Sequence, residues 1–184
     1  EYLGTTLDIH TGGVDHVQVH HTNEIAQSEA ATNEPFARWW MHGEFLLIDD
    51  GRMGKSEGNF ITLGTLRERG IDPLAYRYFV LGAHYRSKLN FTWEALEGAG
   101  RAYAQLVWRL AQVYAGLVAD PDALHSDTPL VEHPGNWTPA AVPNAAPYWE
   151  DFTLALGNDI NTAQGLAALW AAVKSDLAPA ALWH

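Results

Sequence analysis

The chain has 184 residues, 47% of them hydrophobic and 18% charged, the composition of a globular protein with a core and not of a disordered one. Its formal net charge of −11 comes from 11 Lys and Arg against 22 Asp and Glu, which excludes a protein that coats nucleic acid by bulk attraction. It contains no cysteine, so disulfides and thiolate ligands are excluded, and no run approaches the roughly 20 apolar residues of a membrane span.

The first residues, EYLGTTLDIH, carry neither the basic nor the apolar region of a signal peptide, so the expectation is a soluble, cytoplasmic protein with no membrane partner. There is no initiator Met and the opening already reads as the approach to a buried strand, which suggests part of a longer chain. Ten of the eleven basic residues lie between Arg38 and Arg109, so any polyanion would be handled by the middle of the chain.

In chain order, Thr6 to His10 reads as a short strand running into a turn at Gly12-Gly13; a glycine pair there marks a plain turn or lets backbone approach a ligand closely. HHTNEIAQSEAATNE follows as a helix. On it His20 and Glu24 stand at i and i+4 on one face, the spacing of two metal ligands, but also that of a solvated ion pair. Glu44 to Ile48 is strand-like, and DDGR reads as a hairpin turn in which Asp-Gly supplies positive φ. The loop GRMGKSEGN can set the Lys55 ammonium, the Ser56 hydroxyl and several N–H donors around a polyphosphate, or be an ordinary surface loop.

Asp72 is a candidate N-cap with Pro73 at the first helical position. Thr92 is a candidate cap for a long helix with an apolar stripe at Leu96, Ala99, Tyr103, Leu106, Val107, Leu110, Val113, Tyr114 and Leu117. Six of the nine prolines fall between Pro121 and Pro147, a segment with no sustained period, read as a linker or insertion. YWEDFTLALGNDINTAQGLAALWAAVK then reads as two helices with a turn at Gly157 to Asn161, the second capped by Thr162.

Four stretches, DIHTGGVDHVQVHHTNEIAQSEA, FARWWMHGEF, GRMGKSEGNF and AHYRSKLNFTWEAL, stand in the order and spacing found in cysteinyl-tRNA synthetases, and GNDINTAQGLAALW is similar to that family's C-terminal helical region. RMGKS, Arg52 to Ser56, resembles the KMSKS signature of class I aminoacyl-tRNA synthetases, with Gly54 in place of the usual Ser. The resemblance implies an α/β fold, the back half of a Rossmann-type class I catalytic domain followed by an α-helical bundle. In domain terms this is 1–60 for the catalytic part with the signature loop, 61–118 for a helical connection, 119–147 for the Pro-rich linker and 148–184 for an incomplete helical domain.

For function, the resemblance implies ATP-dependent activation of L-cysteine and its transfer to tRNA(Cys), with ATP and Mg2+ as substrate and Zn2+ in the complete enzyme. The zinc of that family is held by two cysteines, a histidine and a glutamate; the match puts the last two on His20 and Glu24. The thiolates, like the HIGH signature, belong to parts preceding the LDIH stretch. It further implies catalytic roles for Lys55, Ser56 and His10, ATP contacts at Gly12, Gly13, Asp15, Met53 and Lys55, adenine-flanking positions at Trp40, Met41 and His42, and tRNA contacts at Arg86 and Lys88. Asp15 reads equally as a turn-capping aspartate. The complete enzyme is expected to be a monomer, and these 184 residues alone inactive. Two other readings are a mycothiol-type ligase joining cysteine to an amino sugar and a non-catalytic tRNA-binding module.

Overall fold

The computed structural model describes residues 3–52, 61–119 and 144–177, which group into two compact units, one of 1–60 with 85–92 and one of 61–84 with 93–184. The signature loop from Met53 onward and most of the Pro-rich stretch lie outside the described residues.

The first unit is built on a strand–helix–strand crossover: β1 (Leu7–Gly13), α1 (His20–Thr32) and β2 (Ala37–Gly43), with a single 3₁₀ turn at Val14–His16 between β1 and α1. The two strands are parallel and paired from Leu7↔Ala37 to Gly13↔Gly43. Parallel pairing needs a connection of a dozen or more residues, and the 13-residue helix provides it. Asn33 ends α1 in the left-handed region at φ 57°, its N–H bonding Glu29 O, and Glu29 Oε1 in turn accepts from Phe36 N at 3.1 Å. One expectation is corrected here. Gly12 and Gly13 are not the turn but the end of β1, opposite His42 and Gly43, and the chain reverses at Val14–His16.

A second sheet has the order β4-β3-β5, from β3 (Leu46–Ile48), β4 (Gly51–Arg52) and β5 (Leu89–Phe91), antiparallel between β3 and β4 and parallel between β3 and β5. The hairpin at DDGR is present, but positive φ falls on Asp49 (48°) and Asp50 (62°), the two central residues of a two-residue loop, while Gly51 is already in β4. Aspartate tolerates that conformation because its short side chain bonds locally. Here Asp50 Oδ1 accepts from Asn90 Nδ2 at 2.8 Å and Asp50 N donates to Asn90 Oδ1 at 2.9 Å, tying the reversal to β5. Ile48 and Phe91 are the buried apolar side chains of this sheet.

The second unit is helical: α2 (Leu63–Glu68), α3 (Pro73–Leu81), α4 (Trp93–Ala119), α5 (Ala146–Gly157) and α6 (Thr162–Lys174). α2 has no apolar period long enough to be read from sequence and rests on a capping box between Thr62 and Thr65. Asp72 caps α3 as expected, its Oδ1 accepting from Leu74 N at 2.8 Å with Pro73 behind it. α4 runs the expected length, but its stripe is narrower: Leu96 and Leu106 are buried whereas Val107 and Tyr114 are about half exposed. The cap of α6 is Asn161, whose side chain accepts from Gln164 N; Thr162, the expected cap, is the first helical residue. The turn before it holds Asp159 and Ile160 at φ 57° and 53°. α3, α4 and α6 meet around Tyr78, whose hydroxyl accepts from Trp170 Nε1 at 2.7 Å and whose ring faces Tyr103. No described helix is long and apolar enough to cross a membrane.

Candidate functional site

In a strand, alternate residues face one side, so His10 and Gly12 of β1 share a face with Trp40 and His42 of β2, and the register sets His10 beside Trp40 and Gly12 beside His42. α1 covers this face with His20, His21 and Glu24 from its first two turns. Five of the chain's nine histidines, His10, His16, His20, His21 and His42, thereby form one cluster, in which His10, His20 and His21 stand against the Glu24 carboxylate and His16 and His42 against the other rings.

Each oxygen of Glu24 has its own partner. Oε2 meets His10 Nε2 at 2.8 Å and stands 4.0 Å from His21 Nε2; Oε1 faces His20 Nε2 at 3.4 Å. His21 is the buried member, 3% exposed, and its Nδ1 shares a hydrogen bond with His42 Nε2 at 2.8 Å. Burial pushes the His21 imidazole below its ordinary pKa, neighbouring His10, His42 and His16 add to this, and Glu24 opposes it. At neutral pH it is therefore an uncharged ring with a lone pair. Phe36 and Trp40 wall the cluster, each about 5.0 Å from His10 ring to ring, and Trp40 also lies 4.9 Å from His21.

Gly12 makes this packing possible. A Cβ there would stand 2.6 Å from His21 Cε1, 2.7 Å from His21 Nε2 and 3.0 Å from His16 Nδ1, so the space left by the missing side chain is taken by imidazole. Gly13 is similarly covered by the Asp15 carboxylate, which folds back from the 3₁₀ turn. Gly12→Ala is expected to lower stability by about 1–3 kcal/mol, since the His21 ring is held on several sides and cannot turn aside; a urea titration followed by Trp fluorescence measures it.

Of the residues singled out in the sequence, the structure brings together His10, His20 and Glu24, with Gly12, Gly13 and Asp15 at the adjoining end of β1. Arg86 and Lys88 are exposed on the stretch entering β5, where Arg86 Nε donates to Tyr85 Oη at 3.0 Å. Met53, Lys55 and Ser56 lie outside the described residues. Sequence reasoning misses His21 as a donor; its only local signal is the doubled histidine, and its burial depends on the bare Gly12 opposite.

The donor chemistry suits zinc. Ligands about 2.0–2.2 Å from a tetrahedral ion lie about 3.3–3.6 Å apart, and the 3.4 Å between His20 Nε2 and Glu24 Oε1 falls within that range. The pair supplies half a shell, and the chain has no cysteine to add to it.

Solved structures share this fold. A LeuRS from Agrobacterium radiobacter K84, in a ternary complex with tRNA and LeuAMS, superposes with a TM-score of 0.66 at 16% identity, covering 96% of this chain and 24% of its own. A methionyl-tRNA synthetase from Mycobacterium tuberculosis, bound by methionyl-adenylate, gives 0.60 at 19%, covering 96% and 37%. The fold is thus an α/β fold shared with class I synthetases.

Residues 1–101 match the family model described as tRNA synthetases class I (C) catalytic domain, and the chain belongs to that family. A Burkholderia lata relative named "Cysteine--tRNA ligase 1" is 45% identical over 99% of this chain and 34% of its own length. A Treponema denticola "Cysteine--tRNA ligase" is 38% identical over 95% and 36%. The chain therefore spans about a third of the length of the curated relatives it matches.

Proposed function

We propose that this chain supplies part of the catalytic region, and the helices following it, of a cysteine–tRNA ligase that activates L-cysteine with ATP and Mg2+ and transfers it to tRNA(Cys). The single observation that carries this is Glu24 standing between His20 and His10 on the β1–α1 face of a chain 45% identical over nearly its whole length to a relative of that name. The domain division proposed is 1–60, 61–118, 119–147 and 148–184.

In this reading His20 Nε2 and Glu24 hold one side of a zinc ion in the longer protein, and thiolate donors stand outside these 184 residues. Bound there, zinc supplies a soft Lewis acid that favours substrate sulfur over the hydroxyl of serine, a distinction a small pocket makes poorly by shape. His10 lines the amino-acid pocket, its ring kept in place by Phe36 and Trp40. Gly12 and Gly13 contribute backbone contacts to ATP at the end of β1, Asp15 accepts from the ribose, and Trp40, Met41 and His42 flank the adenine. Met53 adds an ATP contact, while Lys55 and Ser56 stabilise the charge building on the departing pyrophosphate as the cysteine carboxylate attacks the α-phosphorus. Arg86 and Lys88 pair with tRNA phosphates. The enzyme acts in the cytoplasm as a monomer.

The test uses the longer protein from the same gene. Cysteine-dependent ATP–pyrophosphate exchange and acylation of tRNA are expected, with serine a poor substrate, while the 184-residue chain alone gives neither. Transfer of cysteine to an amino-sugar amine but not to tRNA would move the reading to the mycothiol-type ligase, and tRNA binding with no exchange to a non-catalytic module. Relatives named as cysteine–tRNA ligases favour neither.

A further inference from the structure

β3 and β4 form the hairpin that leads the chain into the RMGKS stretch, and its two-residue turn takes a conformation that its residues do not favour. Asp49 and Asp50 both hold positive φ, 48° and 62°. Turns of this kind prefer glycine at one or both central places, and aspartate enters the left-handed region as single residues. Two in succession persist only where the surroundings over-determine them.

β5 supplies that support. Asp49 N donates to Phe91 O at 3.1 Å, Asp50 N donates to Asn90 Oδ1 at 2.9 Å, and Asn90 Nδ2 returns a bond to Asp50 Oδ1 at 2.8 Å. Asn90 thus grips the main chain of the turn with its carbonyl and the side chain with its amide. It pairs in register with Leu47, which on its other side pairs with Arg52, so one row of the sheet joins the clamp to the last residue of β4. Ile48 and Phe91, the next pair along, are buried, and the clamp stands on a fixed base although the turn itself is exposed. Hydrogen bonds this exposed add little to folding, because water offers the same partners. Their effect is on geometry: they set the direction in which a two-residue strand leaves the turn, and Lys55 follows Arg52 by three residues.

We propose that Asn90 is a positioning residue for cysteine activation: by clamping Asp50 it fixes how β4 enters the RMGKS stretch, and through that how the Lys55 ammonium meets the departing pyrophosphate. This rests on the synthetase reading and on the role given there to Lys55. Misplacing a group that acts on the reacting atoms by about 1 Å costs on the order of 10²-fold in rate, and a hairpin that has lost one of its anchors shifts by part of that, so about tenfold is expected.

The experiment measures cysteine-dependent pyrophosphate exchange by the longer protein from the same gene, each variant being checked for folding by far-UV circular dichroism. Expected for Asn90→Ala is a kcat about tenfold lower with KM for ATP and for cysteine nearly unchanged, since Lys55 acts on charge that the ground state lacks. Made in a Lys55→Ala background, the same substitution should add less than about twofold, because a residue that acts through Lys55 has nothing left to act on. Asn90→Asp alone sets carboxylate against carboxylate and should slow exchange likewise. Combining it with Asp50→Asn exchanges donor and acceptor, keeps the bond from the main chain of position 50, and should restore most of the rate. A kcat untouched by Asn90→Ala overturns the proposal, as does a loss that multiplies fully with that of Lys55→Ala or one that the paired exchange fails to rescue. Should the unaltered longer protein perform no exchange, the synthetase reading falls and the proposal with it, whereas exchange that survives Asn90→Ala removes the proposal alone.

Discussion

Leu96→Ala is expected to destabilise the helical unit by about 2–5 kcal/mol, the range for deleting buried methyl groups from a core that relaxes only partly. Leu96 has no exposed surface at all, and it sits in the first turn of α4 where α3 packs alongside. Truncation there leaves a cavity that neighbours fixed by helix geometry cannot close. A urea titration read by far-UV circular dichroism reports on this unit, because most of the chain's helix is in it. Val107→Ala, further along the same helix at 46% exposure, is the control and should change stability by no more than about 0.5 kcal/mol. If the two variants lost the same stability, the apolar stripe of α4 would not be the organising face of the unit.

That pair also shows why the stripe is only partly legible in the sequence. Spacings of three, four and one mark an amphipathic helix, and α4 is one, but periodicity cannot say how wide a face the partners cover. With α3 and α6 against it, α4 buries Leu96 and Leu106 and leaves Val107 and Tyr114 to solvent. Caps are readable where the side chain acts on its own helix, as at Asp72; at α6 the adjacent Asn161 takes the role expected of Thr162, an error of one residue. Gly12 and Gly13 read as a turn since glycine usually punctuates a chain, yet here the demand for glycine is tertiary: His21 and Asp15 occupy the space a side chain would fill. The same cause hides His21. Helical spacing offers Glu24 two histidine neighbours, His20 at i−4 and His21 at i−3, and only the β1–β2 register decides which is buried. The family is legible from motif order, because four local patterns in sequence need no tertiary information.

Lys55→Ala in the longer protein is expected to slow cysteine-dependent pyrophosphate exchange by about 10²–10³-fold, the effect of removing one donor aimed at charge that develops in the transition state. The reaction itself sets this demand. When a carboxylate attacks the α-phosphorus, negative charge accumulates on the leaving pyrophosphate, and no covalent intermediate with the enzyme relieves it. An ammonium on a long side chain can meet that charge as it forms, with little binding to the ground state, so kcat should fall while KM for cysteine stays nearly unchanged. Lys55→Arg keeps the charge on a bulkier, planar group and should recover part of the loss. Metal content should be the same in all three proteins, since His10, His20, His21 and Glu24 form their cluster from β1 and α1 alone. A rise in KM for ATP with kcat untouched would instead place Lys55 in ground-state binding of the nucleotide, and its assignment to transition-state stabilisation would fall.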